Sequence, residues 1–228
     1  MFISVPAVEA ISSEREDEIT LYARIGNRDG LAKATQVIEQ EQAQLKTPKG
    51  GVRVRKFREG RNWAYEMTTK TKLSDTGSVV NQEQTTEITS DVYRLFLSAC
   101  QTKMVKSRFV FPIERCTVKN ATLNAEVVLE GLKWEVDVFQ TPEGLMSEWC
   151  KIDLEITTLR KQLKAAGLKV KDLKLALKVT GLPIDPLAYF YDDGAKSGDM
   201  RELVSTIYAT QFLIPVNPNR EVEEPVPV

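Results

Sequence analysis

The sequence predicts an α+β protein. Its centre is an eight-stranded antiparallel β-barrel, a tunnel with a polar interior, jacketed by helices and followed by a helical C-terminal extension. Three observations predict this. Apolar and polar residues alternate at the strand period in segment after segment, and residues two apart in a strand share a face. The polar face repeatedly carries charges of both signs rather than the usual Thr, Ser and Gln. Short connections join most of these segments, which favours antiparallel pairing. Lys151 to Ile156 is the plainest case: Lys151, Asp153 and Glu155 point one way, and Ile152, Leu154 and Ile156 the other.

The first strand is expected from Glu16 to Ile25, with Glu16, Glu18, Thr20, Tyr22 and Arg24 opposite Ile19, Leu21, Ala23 and Ile25. Asp29-Gly30 breaks it and starts a helix from about Leu31 to Leu45, whose stripe is Leu31, Ala34, Val37, Ile38 and Leu45. The Glu- and Gln-rich back of that helix reads as a solvated face. Val52 to Phe57 is the next strand, with Arg53 and Arg55 together. A turn at Glu59-Gly60-Arg61-Asn62 leads to its hairpin partner, Trp63 to Lys72, where Glu66, Thr68, Lys70 and Lys72 share a face. Glu83 to Ile88 is a polar strand. Thr89 or Ser90 can cap a short helix from Asp91 to Cys100 by accepting from its free N–H groups.

The second half repeats the scheme. Met104 to Phe111 sets Lys106 and Arg108 opposite Val105, Phe109 and Phe111. Leu123 to Glu130 carries Glu126 and Glu130, and Leu132 to Phe139 carries Lys133, Glu135 and Asp137. Thr141-Pro142-Glu143-Gly144 is a turn whose glycine is free to take positive φ. Trp149 to Ile156 is the eighth strand. Beyond it, Thr158 to Ala166 reads as a basic helix, and Asp172 to Val179 as helix or strand. Asp199 can cap a helix from Met200 to about Leu213. Residues 1–156 thus form the barrel and 157–216 the helical extension packed on it, and the Pro- and Glu-rich 217–228 is a disordered tail.

Eight alternating strands allow two arrangements. One is an open sheet with a dry face on a core and a wet face in solvent. The other is a closed sheet, because twist accumulates and open edges are a liability. With the charged face inward, closure makes a hydrophilic tunnel in which opposite charges satisfy one another and spare cations hold an anion.

Composition narrows the chemistry. The chain has 228 residues, 42% apolar and 28% charged, ordinary for a globular protein. Its net charge of −1 offers no bulk attraction to duplex DNA or a membrane surface. No secretory leader pattern and no apolar run near the roughly 18 residues of a membrane span is present, which points to the cytoplasm. The cysteines Cys100, Cys116 and Cys150 are odd in number and far apart, so they read as reduced, mostly buried thiols. Histidine is absent. That excludes Ser-His-Asp and Cys-His nucleophilic machinery and histidine-ligated zinc. Carboxylates, lysine, arginine, tyrosine and any metal they hold are what remains.

From Glu16 to Ile156 the strand order resembles the CYTH family, the triphosphate tunnel metalloenzymes. The resemblance is carried by Arg53-x-Arg55, Met67-Thr68-Thr69-Lys70, Lys106-x-Arg108, Glu135-x-Asp137 and Asp153-x-Glu155. It implies that Arg53, Arg55, Lys70, Lys106 and Arg108 bind the triphosphate of a small molecule, a nucleotide or an RNA 5′ end. It also implies that Glu18, Asp153 and Glu155 hold Mg²⁺ or Mn²⁺, with Asp153 and Glu155 catalytic in hydrolysis. The chain departs from the family at its N-terminal Glu-x-Glu-x-Lys signature. The counterpart here is Glu16-x-Glu18-x-Thr20 or Glu18-x-Thr20-x-Tyr22, and neither register supplies the lysine. Three classes of function follow: a metal-dependent triphosphatase, a catalytically reduced tunnel that sequesters a phosphorylated nucleotide, or an interaction domain stabilised by its own ion pairs. Phosphoryl transfer needs positioning and charge neutralisation more than a protein nucleophile, so the missing histidine is no obstacle to the first.

Overall fold

The computed structural model describes residues 12–14, 18–47, 50–72, 81–113, 116–120, 125–129, 131–155, 167, 182–191 and 198–217. The fold is mostly antiparallel β-sheet with few helices. No described helix is long and apolar enough to cross a membrane. The chain divides into two compact units. One comprises residues 1–16, 39–105 and 213–228, the other 17–38 and 106–212.

In the first unit the strands run β1 (Ser12–Glu14), β6 (Asn81–Glu87), β5 (Asn62–Lys72), β4 (Gly50–Glu59) and β3 (Gln36–Thr47, here from Glu39), each hydrogen-bonded to the next. Gly60 makes the β4–β5 turn at φ +75°. At the start of β4, Gly50 has φ +147°, and a Cβ there would meet the Lys70 carbonyl oxygen at 1.8 Å, so only glycine fits. One face of this sheet is apolar. Val54 and Ala43 lie on it, packed with Tyr93, Leu97 and Cys100 and backed by Tyr65 and Met67. Tyr93 and Leu97 come from helix α1 (Ser90–Ser98), and Thr89 caps it by accepting from the Val92 N–H at 3.4 Å, as the sequence suggests.

In the second unit the order is β7 (Thr102–Ile113, here from Lys106), β10 (Leu132–Gln140), β11 (Met146–Glu155), β2 (Glu18–Asn27) and β12 (Asp185–Tyr191). Its core is the predicted apolar face: Leu21, Ala23 and Ile25 from β2, Phe111 from β7, Trp134, Val136 and Val138 from β10, and Ile152 and Leu154 from β11. Gly144 turns β10 into β11 at φ +82°. Cys150 lies in this core, and burial pushes its thiol up to about 12. Helix α2 (Gly198–Ile207) continues into a π-helical turn, Tyr208–Phe212, so the helix expected to about Leu213 changes pitch after Ile207.

Four expectations need correction. The closed eight-stranded barrel is not formed: among the described residues neither set of strands returns to its first member. The free side of β6 is covered by β1 and that of β2 by β12, so the edges that closure would join are already paired. The helix expected from Leu31 to Leu45 is instead a 3₁₀ turn, Asp29–Lys33, followed by β3. Its apolar stripe lapses between Ile38 and Leu45, while Gln42 and Gln44 sit in register with Arg55 and Arg53 of β4, so sheet pairing overrides helix propensity. Of the segment from Leu123 to Glu130, the described part is β9 (Ala125–Leu129), which among the described residues pairs with β8 (Cys116–Asn120) and not with the main sheet. The extension is not wholly helical, since it contributes β12. That strand carries Pro186, with a register shift there, as expected of an edge strand. The sequence expectations for Glu16, for Thr158 to Ala166, for Asp172 to Val179 and for the tail from 218 onward lie outside the described residues.

Candidate functional site

The predicted site residues fall on the polar faces of the two units. In the first unit, Arg53 and Arg55 of β4 are two apart and so share a face. The register adds their neighbours, because directly opposed residues of an antiparallel pair lie side by side. Arg53 stands between Gln44 and Thr68, Arg55 between Gln42 and Glu66, and Lys70 opposite Glu83. Arg53, Arg55 and Lys70 are all half-buried. Arg55 contacts Glu66 at 2.5 Å, and Lys70 contacts Glu83.

Arg53 is held more loosely. It donates to Thr68 Oγ1 at 3.3 Å and lies 3.9 Å from Glu83. Its Nε is buried without a hydrogen-bond partner among the described residues. Thr68 is fully buried and exchanges a hydrogen bond with Thr85 at 3.1 Å. Sequence reasoning missed two further residues here. Gln40 and Gln42 of β3 are 3% and 8% exposed, and the Oε1 of each is buried without a partner among the described residues. A buried acceptor left unpaired costs about 1–3 kcal/mol. The alternating Gln40-x-Gln42-x-Gln44 spacing is the available signal, and it is hidden when this stretch is read as the back of a helix.

In the second unit, Lys106 and Arg108 of β7 meet Glu135 and Asp137 of β10 and Asp153 of β11. Asp137 is fully buried. It accepts from Arg108 Nε at 2.7 Å and Arg108 Nη2 at 3.0 Å, and from Lys106. Arg108 also contacts Glu135, which pairs with Lys133 at 2.8 Å. Burial alone would raise the Asp137 carboxyl, but Lys106 and Arg108 outweigh it and hold it well below the usual carboxylate range. Burial pushes the Lys106 ammonium down to about 8, with Asp137 opposing and Arg108 adding like charge. Burial would also lower Arg108, but Asp137 more than offsets this and its pKa is raised.

Asp153 is nearly fully buried. Its Oδ1 accepts from Thr20 at 2.7 Å and its Oδ2 from Lys151 at 2.7 Å, with Arg108 at 4.0 Å. The expected meeting of first and last strands is present, since β2 pairs with β11 and sets Glu18 opposite Glu155 in register. The side chains of Glu18 and Glu155 are outside the described set. Among the described residues no group of three Asp, Glu, Cys or His side chains could hold a metal ion. Of the expected trio only Asp153 has a described side chain, and both its oxygens are engaged, by Thr20 and by Lys151.

No family model and no curated protein matches the chain. Among solved structures it is similar to the PH1819 protein of Pyrococcus horikoshii OT3, at 17% identity over 83% of this chain and 99% of that one, with a TM-score of 0.46. It is similar to a conserved hypothetical protein of Pyrococcus furiosus, at 20% identity over 68% of this chain and 94% of that one, with a TM-score of 0.38. It is also similar to the inorganic triphosphatase NE1496, at 17% identity over 72% of this chain and 99% of that one, with a TM-score of 0.34.

Proposed function

We propose that this protein binds a triphosphate, free or as part of a phosphorylated nucleotide, through the cationic strand face of its first unit. The observation that carries the reading is Arg53. Its guanidinium is half-buried beside Arg55 and Lys70, and among the described residues its nearest carboxylate is 3.9 Å away and its Nε has no partner. A planar fork of donors so placed matches phosphate oxygens, which accept in pairs. A polyphosphate also spans the spacing of successive cations, which a single small anion does not. Lys106 and Arg108 would serve such an anion less readily, because Asp137 and Glu135 already occupy them.

Hydrolysis with Mg²⁺ or Mn²⁺ is a second reading, and one observation favours it. The β2–β11 register brings Glu18, Asp153 and Glu155 to adjacent positions of two paired strands. A hard divalent cation takes oxygen ligands of this kind and bridges phosphates. Titration of the protein with tripolyphosphate by calorimetry, first without metal and then with each metal while free phosphate is followed, tests both. Metal-independent binding without phosphate release supports the binder. Phosphate release supports the enzyme. No binding and no release removes both.

A further inference from the structure

Gln40 and Gln42 stand on the face that carries the arginines. Gln42 is in register with Arg55, and Gln40 is in register with Phe57, two residues further along β4. Both carboxamides are buried, and the Oε1 of each lacks a partner among the described residues. Phe57 is half-buried, with the Arg55 guanidinium 5.2 Å from its ring. Strand positions that face inward usually carry apolar groups, or polar groups whose bonds are made. Two alternate glutamines with open acceptors are neither. A fully ionised phosphate cannot complete them, because it offers acceptors and no donor. A hydroxyl or an amino group can.

We propose that Gln40 and Gln42 form a specificity subsite for the hydrogen-bond-donating part of a nucleoside, so that the favoured ligand is a nucleoside triphosphate rather than inorganic triphosphate. This rests on the reading of the Arg53–Arg55 face as a triphosphate site. The arginines take the phosphates, the carboxamide oxygens accept from the ribose hydroxyls or the base amino group, and Phe57 supplies an apolar wall beside them. A carboxamide can also rotate and present its NH₂ to a phosphate oxygen; that arrangement predicts no preference for a nucleoside.

The test is calorimetry of the full chain at neutral pH with ATP, 2′-deoxy-ATP, ITP and tripolyphosphate. The wild type is expected to bind ATP about ten-fold more tightly than tripolyphosphate. Gln40→Met and Gln42→Met, near in volume, should each reduce that ratio several-fold. A preference lost with 2′-deoxy-ATP assigns the donor to the ribose, and one lost with ITP assigns it to the base amino group. Equal affinity of the wild type for ATP and tripolyphosphate overturns the subsite and leaves the phosphate site standing, and that outcome needs no variant to fold. A wild-type preference that survives both substitutions in variants of unchanged melting temperature also overturns it. If neither ligand binds the wild type, the phosphate site itself fails.

Discussion

Arg108 holds Asp137 through two hydrogen bonds, Nε to Oδ1 at 2.7 Å and Nη2 to Oδ2 at 3.0 Å, and Lys106 closes on the same carboxylate. Asp137, at 0% exposure, and Lys106 are buried, and Arg108 is half-buried. Two cations sharing one carboxylate make that carboxylate the costliest of the three to remove. Asp137→Asn leaves both cations without their common counter-charge. Breaking a buried pair in this way costs about 3–5 kcal/mol. The expected result is a melting temperature lower by roughly 10 °C, read by circular dichroism. A shift within a degree or two would show that the network contributes little.

The same cluster sets a pH dependence. The Lys106 pKa is lowered from its ordinary 10.5 to about 8. Its burial therefore opposes folding in full below pH 8, where the ammonium must stay charged inside. Between about 8 and 10.5 the unfolded chain binds this proton more readily than the folded one, so the opposition fades as pH rises. Asp137 has the opposite arrangement: its lowered pKa favours folding in full above the ordinary carboxylate range, and that contribution fades below this range and is lost as pH falls through the lowered pKa. Urea unfolding of wild type and Lys106→Met should show the wild type gaining relative to the variant between pH 8 and 10.5. The gain is at most about 1.4 kcal/mol per pH unit. A difference that stays flat over that window would contradict the assignment.

Glu155 separates the binder from the enzyme by which readout moves. If the protein only binds the anion, Glu155→Gln leaves tripolyphosphate affinity in calorimetry unchanged within about two-fold. If it holds a metal, the same substitution abolishes Mg²⁺- or Mn²⁺-dependent release of phosphate. The binder reading expects the first outcome.

The strand faces were legible because the side-chain period of a strand is local. Leu21, Ala23 and Ile25 of β2, Val136 and Val138 of β10, and Ile152 and Leu154 of β11 all reach the core that their alternation assigns. Strand β3 was not legible, because neither of its faces is simply apolar. One face buries Gln40 and Gln42. The other buries Ala43 and engages Glu41 with the Tyr93 hydroxyl at 2.7 Å and Lys103 at 3.1 Å. The open sheet was not legible for a different reason: β1 and β12 pair beside β6 and β2 through long-range contacts that no local pattern announces. In the candidate site, the Arg53-x-Arg55 spacing was readable directly. The engagement of Asp153 by Thr20 was not, since it depends on the β2–β11 register, whereas its contact with Lys151 follows from their shared strand face.

Whether the Arg53–Arg55 face takes a triphosphate is read by calorimetric titration of tripolyphosphate into wild type, Arg53→Ala and Arg55→Ala. Loss of a charge-assisted hydrogen bond at a half-buried site costs about 1.5–3 kcal/mol. Each substitution should therefore weaken binding by roughly ten- to a hundred-fold, with folding checked by melting temperature. Arg53, whose existing partners are the weaker, should show the effect with the smaller change in stability. Wild-type affinity retained in both folded variants would contradict the account.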